Sequence, residues 1–138
     1  MQVKIITDKE NTTCSVKVVQ KNKNPIVFKP FCEYNEKFNA IFVSVPSCIS
    51  SVASQFGGNN WEEFVNAYVC SINKAIKLGA KTVLVPELGE NLLWKDCLIA
   101  MAARESLGKL DLCDDAFTIV FFVSEDRYKL WDEMMKFD

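Results

Sequence analysis

Residues 61–90, WEEFVNAYVCSINKAIKLGAKTVLVPELGE, determine the fold that this sequence predicts. The stretch opens with an amphipathic helix over residues 61–78, in which apolar side chains recur at intervals of three and four. Gly79 ends that helix, and residues 81–85 are rich in β-branched side chains, as is typical of a strand covered on both faces. The turn 86–91 then leads directly into a second helix. Because a strand that feeds a helix through a glycine turn directs backbone N–H groups toward one point, this turn is the first candidate for a small-molecule site.

The rest of the chain continues the alternation of strands and helices. The predicted elements are strands at 2–7, 14–20, 25–28 and 39–45, the helix 61–78, the strand 81–85, a helix at 92–107, a strand at 117–123 and a helix at 126–137. Strands joined by helices lie parallel through right-handed crossovers. The sequence therefore predicts one α/β domain over residues 1–138: a three-layer α/β/α arrangement with a mostly parallel central sheet and helices on both faces.

Composition and charge exclude several classes of function. Lysine and arginine number 16 against 18 acidic residues, and the net charge of −2 provides no field that attracts nucleic acid. The apolar runs are too short to span a bilayer. The first residues, MQVKIITDKE, become polar too early for a signal peptide. We therefore expect a cytoplasmic protein with neither a nucleic acid nor a membrane as its partner.

Histidine is absent, and six cysteines are widely spaced, at positions 14, 32, 48, 70, 97 and 113. No two cysteines have the short spacing of a zinc knuckle or a redox dithiol. Cys70 and Cys97 fall within helical patterns and are expected to be small buried hydrophobic residues. The missing histidine removes the usual general base near neutral pH. We therefore expect no metal centre and no cofactor, and any chemistry would have to use carboxylates, lysine, thiols or backbone dipoles.

Several motifs in the second half of the chain resemble those of macro domains, the α/β modules known for binding ADP-ribose. The motifs are NAIFVSVP at 39–46, NAY at 66–68, KLGAKTVLVPELG at 77–89, IAMAARE at 99–105 and FFVSEDRYKLW at 121–131. The resemblance implies a macro-like fold. It also implies a ligand cleft beside the strand ends 44–46 and 86–94.

The first half departs from the pattern of that family. Macro domains that bind ADP-ribose usually carry an asparagine-rich segment for the distal ribose and a run of glycines around the diphosphate. The first 38 residues here contain no glycine, and no segment matches either motif. The resemblance therefore implies no catalytic residue, and it argues against an ADP-ribosyl hydrolase.

The second phosphate loop of the family, a Gly-x-Gly segment, aligns with Gly89, Glu90 and Asn91, so only its first glycine is present. Trp94 stands where another glycine is common and is expected to be exposed. The candidate ligand-binding residues are Ser44, Pro46, Pro86, Leu88, Gly89, Glu90, Asn91 and Trp94. In the alternative interpretation, Glu90 or Asn91 caps the second helix, much as Asn60 can cap the first.

The energies of attraction and repulsion at a bound phosphate indicate which interpretation of the turn is favoured. A helix amino terminus stabilises an exposed anion by about 0.3–1 kcal/mol. A carboxylate about 4 Å from a phosphate charge opposes it by ~1 kcal/mol in water and by ~4 kcal/mol at an effective dielectric near 20. Glu87 and Glu90 both flank the turn. Repulsion exceeds the attraction unless both side chains point away.

The sequence therefore leads to two functional hypotheses. The first is a non-enzymatic macro-like module that lacks the standard ADP-ribose pocket and binds a protein partner. The alternative is a residual binder of ADP-ribose or a nucleotide phosphate, acting through the turn 86–94 and the strand end 44–46.

Overall fold

The computed structural model describes residues 1–8, 13–21, 30–48, 60–111 and 113–136, which contain six strands and three α-helices. The elements are β1 (Gln2–Ile6), β2 (Val16–Gln20), β3 (Cys32–Asn35), β4 (Ala40–Val43), α1 (Trp61–Lys77), β5 (Thr82–Pro86), α2 (Asp96–Leu107), β6 (Thr118–Phe122), a 3₁₀ turn (Glu125–Arg127) and α3 (Tyr128–Met134). Five of the strands lie where the sequence predicts them, to within two residues. The edge strand β3 is not predicted, because its sequence CEYN is short and polar.

The six strands form one sheet in the order β1-β6-β5-β2-β4-β3. Among the described pairs, β3 and β4 are antiparallel and all other neighbours are parallel. Parallel strands need crossover connections, and α1 and α2 provide them between β4, β5 and β6. The predicted α/β class with a mostly parallel central sheet is confirmed.

The strand register shows which face of the sheet holds the core. Val85 pairs with Phe121, and both side chains are buried on the same face. The ring of Tyr68 from α1 and the ring of Trp131 from α3 contact Phe121 there, and Ile99 from α2 belongs to the same hydrophobic core. All three described helices therefore pack on one face.

A layer on the opposite face would have to come from the connections between β1, β2 and β3, because these cross the sheet in the other direction. Those connections include residues 9–12 and 22–29, which lie outside the described residues, so the second helical face of the predicted α/β/α arrangement stays a prediction. The strand predicted at 25–28 lies outside the described residues too.

The helix ends show where tertiary packing overrides local pattern. Gly79, with a φ of +77°, follows the last turn of α1 as predicted. The second helix begins at Asp96, four residues later than predicted, because Asn91 and Leu93 have positive φ values of 68° and 70° that no helix accepts. Of the helices in the described ranges, none is both long enough and apolar enough to cross a bilayer.

The N-cap predicted for the second helix is wrong, and the N-cap predicted for the first is right in position only. Lys95, not Glu90 or Asn91, occupies the N-cap position of α2. Asn60 does occupy the N-cap position of α1, but its side chain makes no capping bond. Its amide Nδ2 donates instead to the carbonyl of Ser47, at 3.2 Å. This bond ties the start of α1 to the segment that follows β4.

Candidate functional site

The predicted ligand-binding residues lie in two segments at the carboxyl ends of β4 and β5, which come together at Trp94. The turn after β5 runs from Leu88 to Leu93. Trp94 follows it and donates a hydrogen bond of 2.7 Å from its indole Nε1 to the carbonyl of Pro46. This bond joins the two predicted segments. Ser44 is also fixed by a hydrogen bond, since its Oγ accepts a 2.8 Å bond from the N–H of Phe31.

Leu88 is held by a buried tyrosine. Its N–H donates to the hydroxyl of Tyr68 at 3.0 Å, and that hydroxyl donates in turn to the carbonyl of Leu88 at 3.4 Å. Burial raises the pKa of Tyr68 well above its ordinary value, so the hydroxyl keeps its proton for this bond. The first N–H of the turn is therefore used within the protein.

Gly89 lies against an aromatic cluster that we define as Phe64, Trp61 and Trp94. The rings of Phe64 and Trp94 stack with centroids 4.2 Å apart, and Trp61 meets both rings edge-on. A Cβ at Gly89 would lie 2.7 Å from Phe64 Cζ and 3.0 Å from Trp94 Cδ1. The aromatic cluster therefore fills the space beside this glycine.

The N–H of Gly89 is also used internally, because it donates to Gln20 Oε1 at 2.9 Å. Its φ of +92° is one that side-chain-bearing residues rarely adopt. Close packing and backbone conformation thus explain why glycine stands here without reference to a phosphate.

The expectation that Trp94 is exposed is wrong, since only 6% of its surface is accessible. Its ring gains a stacking partner in Phe64, and its indole N–H finds an acceptor in Pro46, so both its apolar and polar parts are satisfied inside. Side chains that the sequence places beside the turn thus form part of the core.

The two glutamates that flank the turn have different environments. The Glu87 side chain is only 5% exposed. Its carboxylate accepts bonds from Arg127 Nε at 2.6 Å, from Arg127 Nη2 at 3.0 Å and from the N–H of Ser124 at 2.9 Å. This bonding raises the pKa of Arg127. The Glu90 side chain is 62% exposed and lies 3.5 Å from Arg127 Nη2.

This arrangement is unfavourable for a phosphate. The N–H groups of Leu88 and Gly89 are occupied, and the charge of Arg127 is balanced by Glu87. The first turn of α2 already carries an acidic residue, Asp96, at its positive end. Glu90 adds a further negative charge at the solvent side of the turn.

A groove between the three helices shares Trp61 with the aromatic cluster beside the turn. Its volume is about 700 Å³, and its lining residues are Trp61, Leu98, Met101, Arg104, Glu105, Gly108 and Met134. Met101 is 43% exposed, and the indole Nε1 of Trp61 donates to Glu105 Oε2 at 2.8 Å. Apolar side chains thus make up much of the lining of the groove, and a fixed polar pair lies among them.

Two cysteines that are distant in the sequence lie together in the structure. Cys32 on β3 and Cys70 on α1 line one cavity of about 310 Å³, and each thiol perturbs the pKa of the other. Spacing gives no signal for this pair, because the contact depends on how α1 packs against the edge of the sheet. No group of three or more histidine, cysteine or acidic side chains within the described ranges is placed to hold a metal ion.

Together, the fold and this turn define a small α/β domain with a mostly parallel sheet and an internally bonded loop at its carboxyl edge. In comparisons with known proteins, the chain matches no family model and no curated sequence.

Proposed function

We propose that this chain is a non-enzymatic, macro-like binding module whose phosphate site is closed and which binds another protein. The motifs at 39–46, 66–68 and 77–89 support the macro-like part of the proposal. The main support for a closed phosphate site is the packing at Gly89, where the aromatic cluster fills the space that we expect a ligand to need.

The proposal assigns no catalytic step. The chain has no histidine to act as a base near neutral pH. The carboxylate of Glu87, the buried acid at the turn, is committed to Arg127 and to the N–H of Ser124. Three donor groups thus already occupy this carboxylate.

The helical groove supports a protein as the partner. Leu98, Met101 and Met134 offer an apolar surface that suits the side chains of a polypeptide. Arg104 and Glu105 place both signs of charge beside it, so the groove does not favour a highly charged ligand. With a net charge of −2, the chain has no general attraction for nucleic acid.

Calorimetric titration with millimolar ADP-ribose tests the closed site. We expect no saturable heat, because the turn offers no N–H from Leu88 or Gly89 and presents Glu90 to the solvent. Saturable heat with the wild-type protein would contradict the closed site and support the alternative, an ADP-ribose or nucleotide binder.

Paired charge variants then locate any such binding. If a phosphate sits at the turn, Glu90→Gln would tighten it about fivefold or more, since removing one nearby carboxylate relieves roughly 1 kcal/mol of repulsion. Glu36→Gln is the matched control, because Glu36 is also an exposed glutamate but lies in the turn before β4, at the amino end of that strand. Equal effects of the two variants would place the ligand elsewhere.

The groove is tested with peptides selected from a random library on the wild-type protein. We expect Met101→Glu to weaken binding of the selected peptides by at least about tenfold, because it places a charge among the apolar residues that line the groove. Stability should change little, since Met101 is exposed on a helix that accepts glutamate. Phe38→Glu is the control, an equally drastic change at an exposed residue of the β3–β4 turn. Equal losses in both variants would contradict the groove as the docking surface.

A further inference from the structure

Cys32 and Cys70 lie side by side where the edge of the sheet meets the first helix. Cys32 begins β3, which is paired on one side with β4 and stands at the end of the sheet. Cys70 lies in the middle of α1. Both thiols are free and half-buried, they lie close enough for each to perturb the pKa of the other, and they line the same cavity of about 310 Å³. The thiol of Cys70 donates to the carbonyl of Ala67 at 3.5 Å. A water molecule occupies about 30 Å³ of liquid volume, so this cavity admits small polar molecules.

The surroundings make the two sulfur atoms chemically unequal. The neighbouring thiol of Cys70 lowers the pKa of Cys32, and the ammonium of Lys74 acts in the same direction, while burial and the carboxylate of Glu33 oppose them. The pKa of Cys70 is raised, first by the neighbouring thiol of Cys32 and then by burial. Glu63 is the other acidic residue that lines the cavity. Cys32 is therefore the better nucleophile of the pair, and Cys70 keeps its proton.

We propose that Cys32 and Cys70 form a reversible thiol–disulfide site that hydrogen peroxide oxidises. The thiolate of Cys32 attacks one peroxide oxygen, the O–O bond breaks, and the hydroxide that leaves takes up a proton to become water. Cys32 is now a sulfenic acid, oxidised by two electrons, and the peroxide is reduced. The sulfur of Cys70 then attacks the sulfur of Cys32, the S–O bond breaks, and the hydroxide leaves as water with the proton of Cys70. Two thiols and one peroxide thus give one disulfide and two waters.

The position of the pair favours a disulfide over a metal centre. The described residues supply no third ligand within reach of the two thiols to complete a site for a metal ion. Among the described strands, β3 has a partner on one side only, so we expect this edge strand to shift enough for the two neighbouring thiols to reach disulfide geometry. The disulfide would fix β3 to α1 and narrow the cavity beside Ser44. This proposal does not depend on the proposed function.

The test treats the intact protein with hydrogen peroxide near neutral pH and maps its peptides without reduction. We expect a mass loss of about two hydrogens, a cross-linked peptide joining positions 32 and 70, and reversal by a dithiol reductant. Because the cross-link closes a long loop, we also expect the melting temperature to rise by roughly 10 °C on oxidation. A cross-link between other cysteines, or two free thiols at these positions after Cys97 has been oxidised, would overturn the proposal.

Single variants separate the two roles. With Cys70→Ser, oxidation of Cys32 should stop at the sulfenic acid, which dimedone traps as one adduct at that residue. With Cys32→Ser, no adduct should form at Cys70. The expectation that Cys97 is buried is wrong, since it is exposed on α2. Cys97→Ser is therefore the matched control, and its loss should leave the disulfide unchanged. An adduct at Cys70 in the Cys32→Ser variant would contradict the assigned order of attack. The peptide map of the wild-type protein remains decisive even if a variant folds poorly.

Discussion

Replacing Arg127 with methionine is expected to lower the free energy of unfolding by about 3–5 kcal/mol. Arg127 holds the buried carboxylate of Glu87 through two bonds, at 2.6 Å and 3.0 Å, and the variant leaves the N–H of Ser124 as the remaining described donor. A buried charge without its partner pays its desolvation cost in full, whereas methionine supplies only part of the packing of arginine. Urea denaturation at neutral pH measures the change.

Two further variants show whether an unpaired charge causes the loss. The double variant with Glu87→Gln and Arg127→Met carries no buried charge and keeps an oxygen that can accept from the N–H of Ser124, so it should recover most of the lost stability. Glu90→Gln alone should cost less than about 1 kcal/mol, because that carboxylate is mostly exposed and its contact with Arg127 is long. A double variant as unstable as Arg127→Met would show that the pair acts through packing rather than charge.

The α/β class is predictable from the sequence because its signals are local. The spacing of apolar residues over 61–78 and the β-branched run at 81–85 each report one element without knowledge of its neighbours. The start of the second helix is not local. Leu92 and Trp94 fit a helical pattern, but both side chains are buried before the helix begins. Their burial in the core stabilises the fold more than one further helical turn would.

The candidate site is harder to predict for the same reason. The sequence places Glu87 and Glu90 beside one turn, yet it gives no sign that the first meets Arg127 and the second faces solvent. Trp94 would be exposed if its neighbours were only those in sequence. Its stacking partner, Phe64, comes from α1. Contacts between distant segments determine whether such a turn is open or closed, and the spacing of residues in the sequence does not encode those contacts.

Replacing Gly89 with alanine is expected to lower the free energy of unfolding by roughly 2–5 kcal/mol, from two separate costs. The first is the left-handed backbone, with a φ of +92°, which costs a residue with a Cβ about 1–2 kcal/mol. The second is overpacking, since the new methyl group would lie 2.7 Å from a Phe64 ring that is fully buried and stacked on Trp94. Forcing a carbon into such a site costs about 1–3 kcal/mol. Thermal or urea denaturation gives the total.

Two other glycines separate these costs and make the result informative about the site. Gly79 has a φ of +77°, and a methyl group there would meet only open space, so Gly79→Ala should show the backbone cost alone, about 1–2 kcal/mol. Gly108 has an ordinary helical φ of −77° and no close contact, so Gly108→Ala should be stabilising by about 0.4–1 kcal/mol. If Gly89→Ala lowered the free energy of unfolding no more than Gly79→Ala, there would be room for a side chain beside Gly89. The packing that supports a closed phosphate site would then be absent, and ADP-ribose binding through this turn would become the stronger hypothesis.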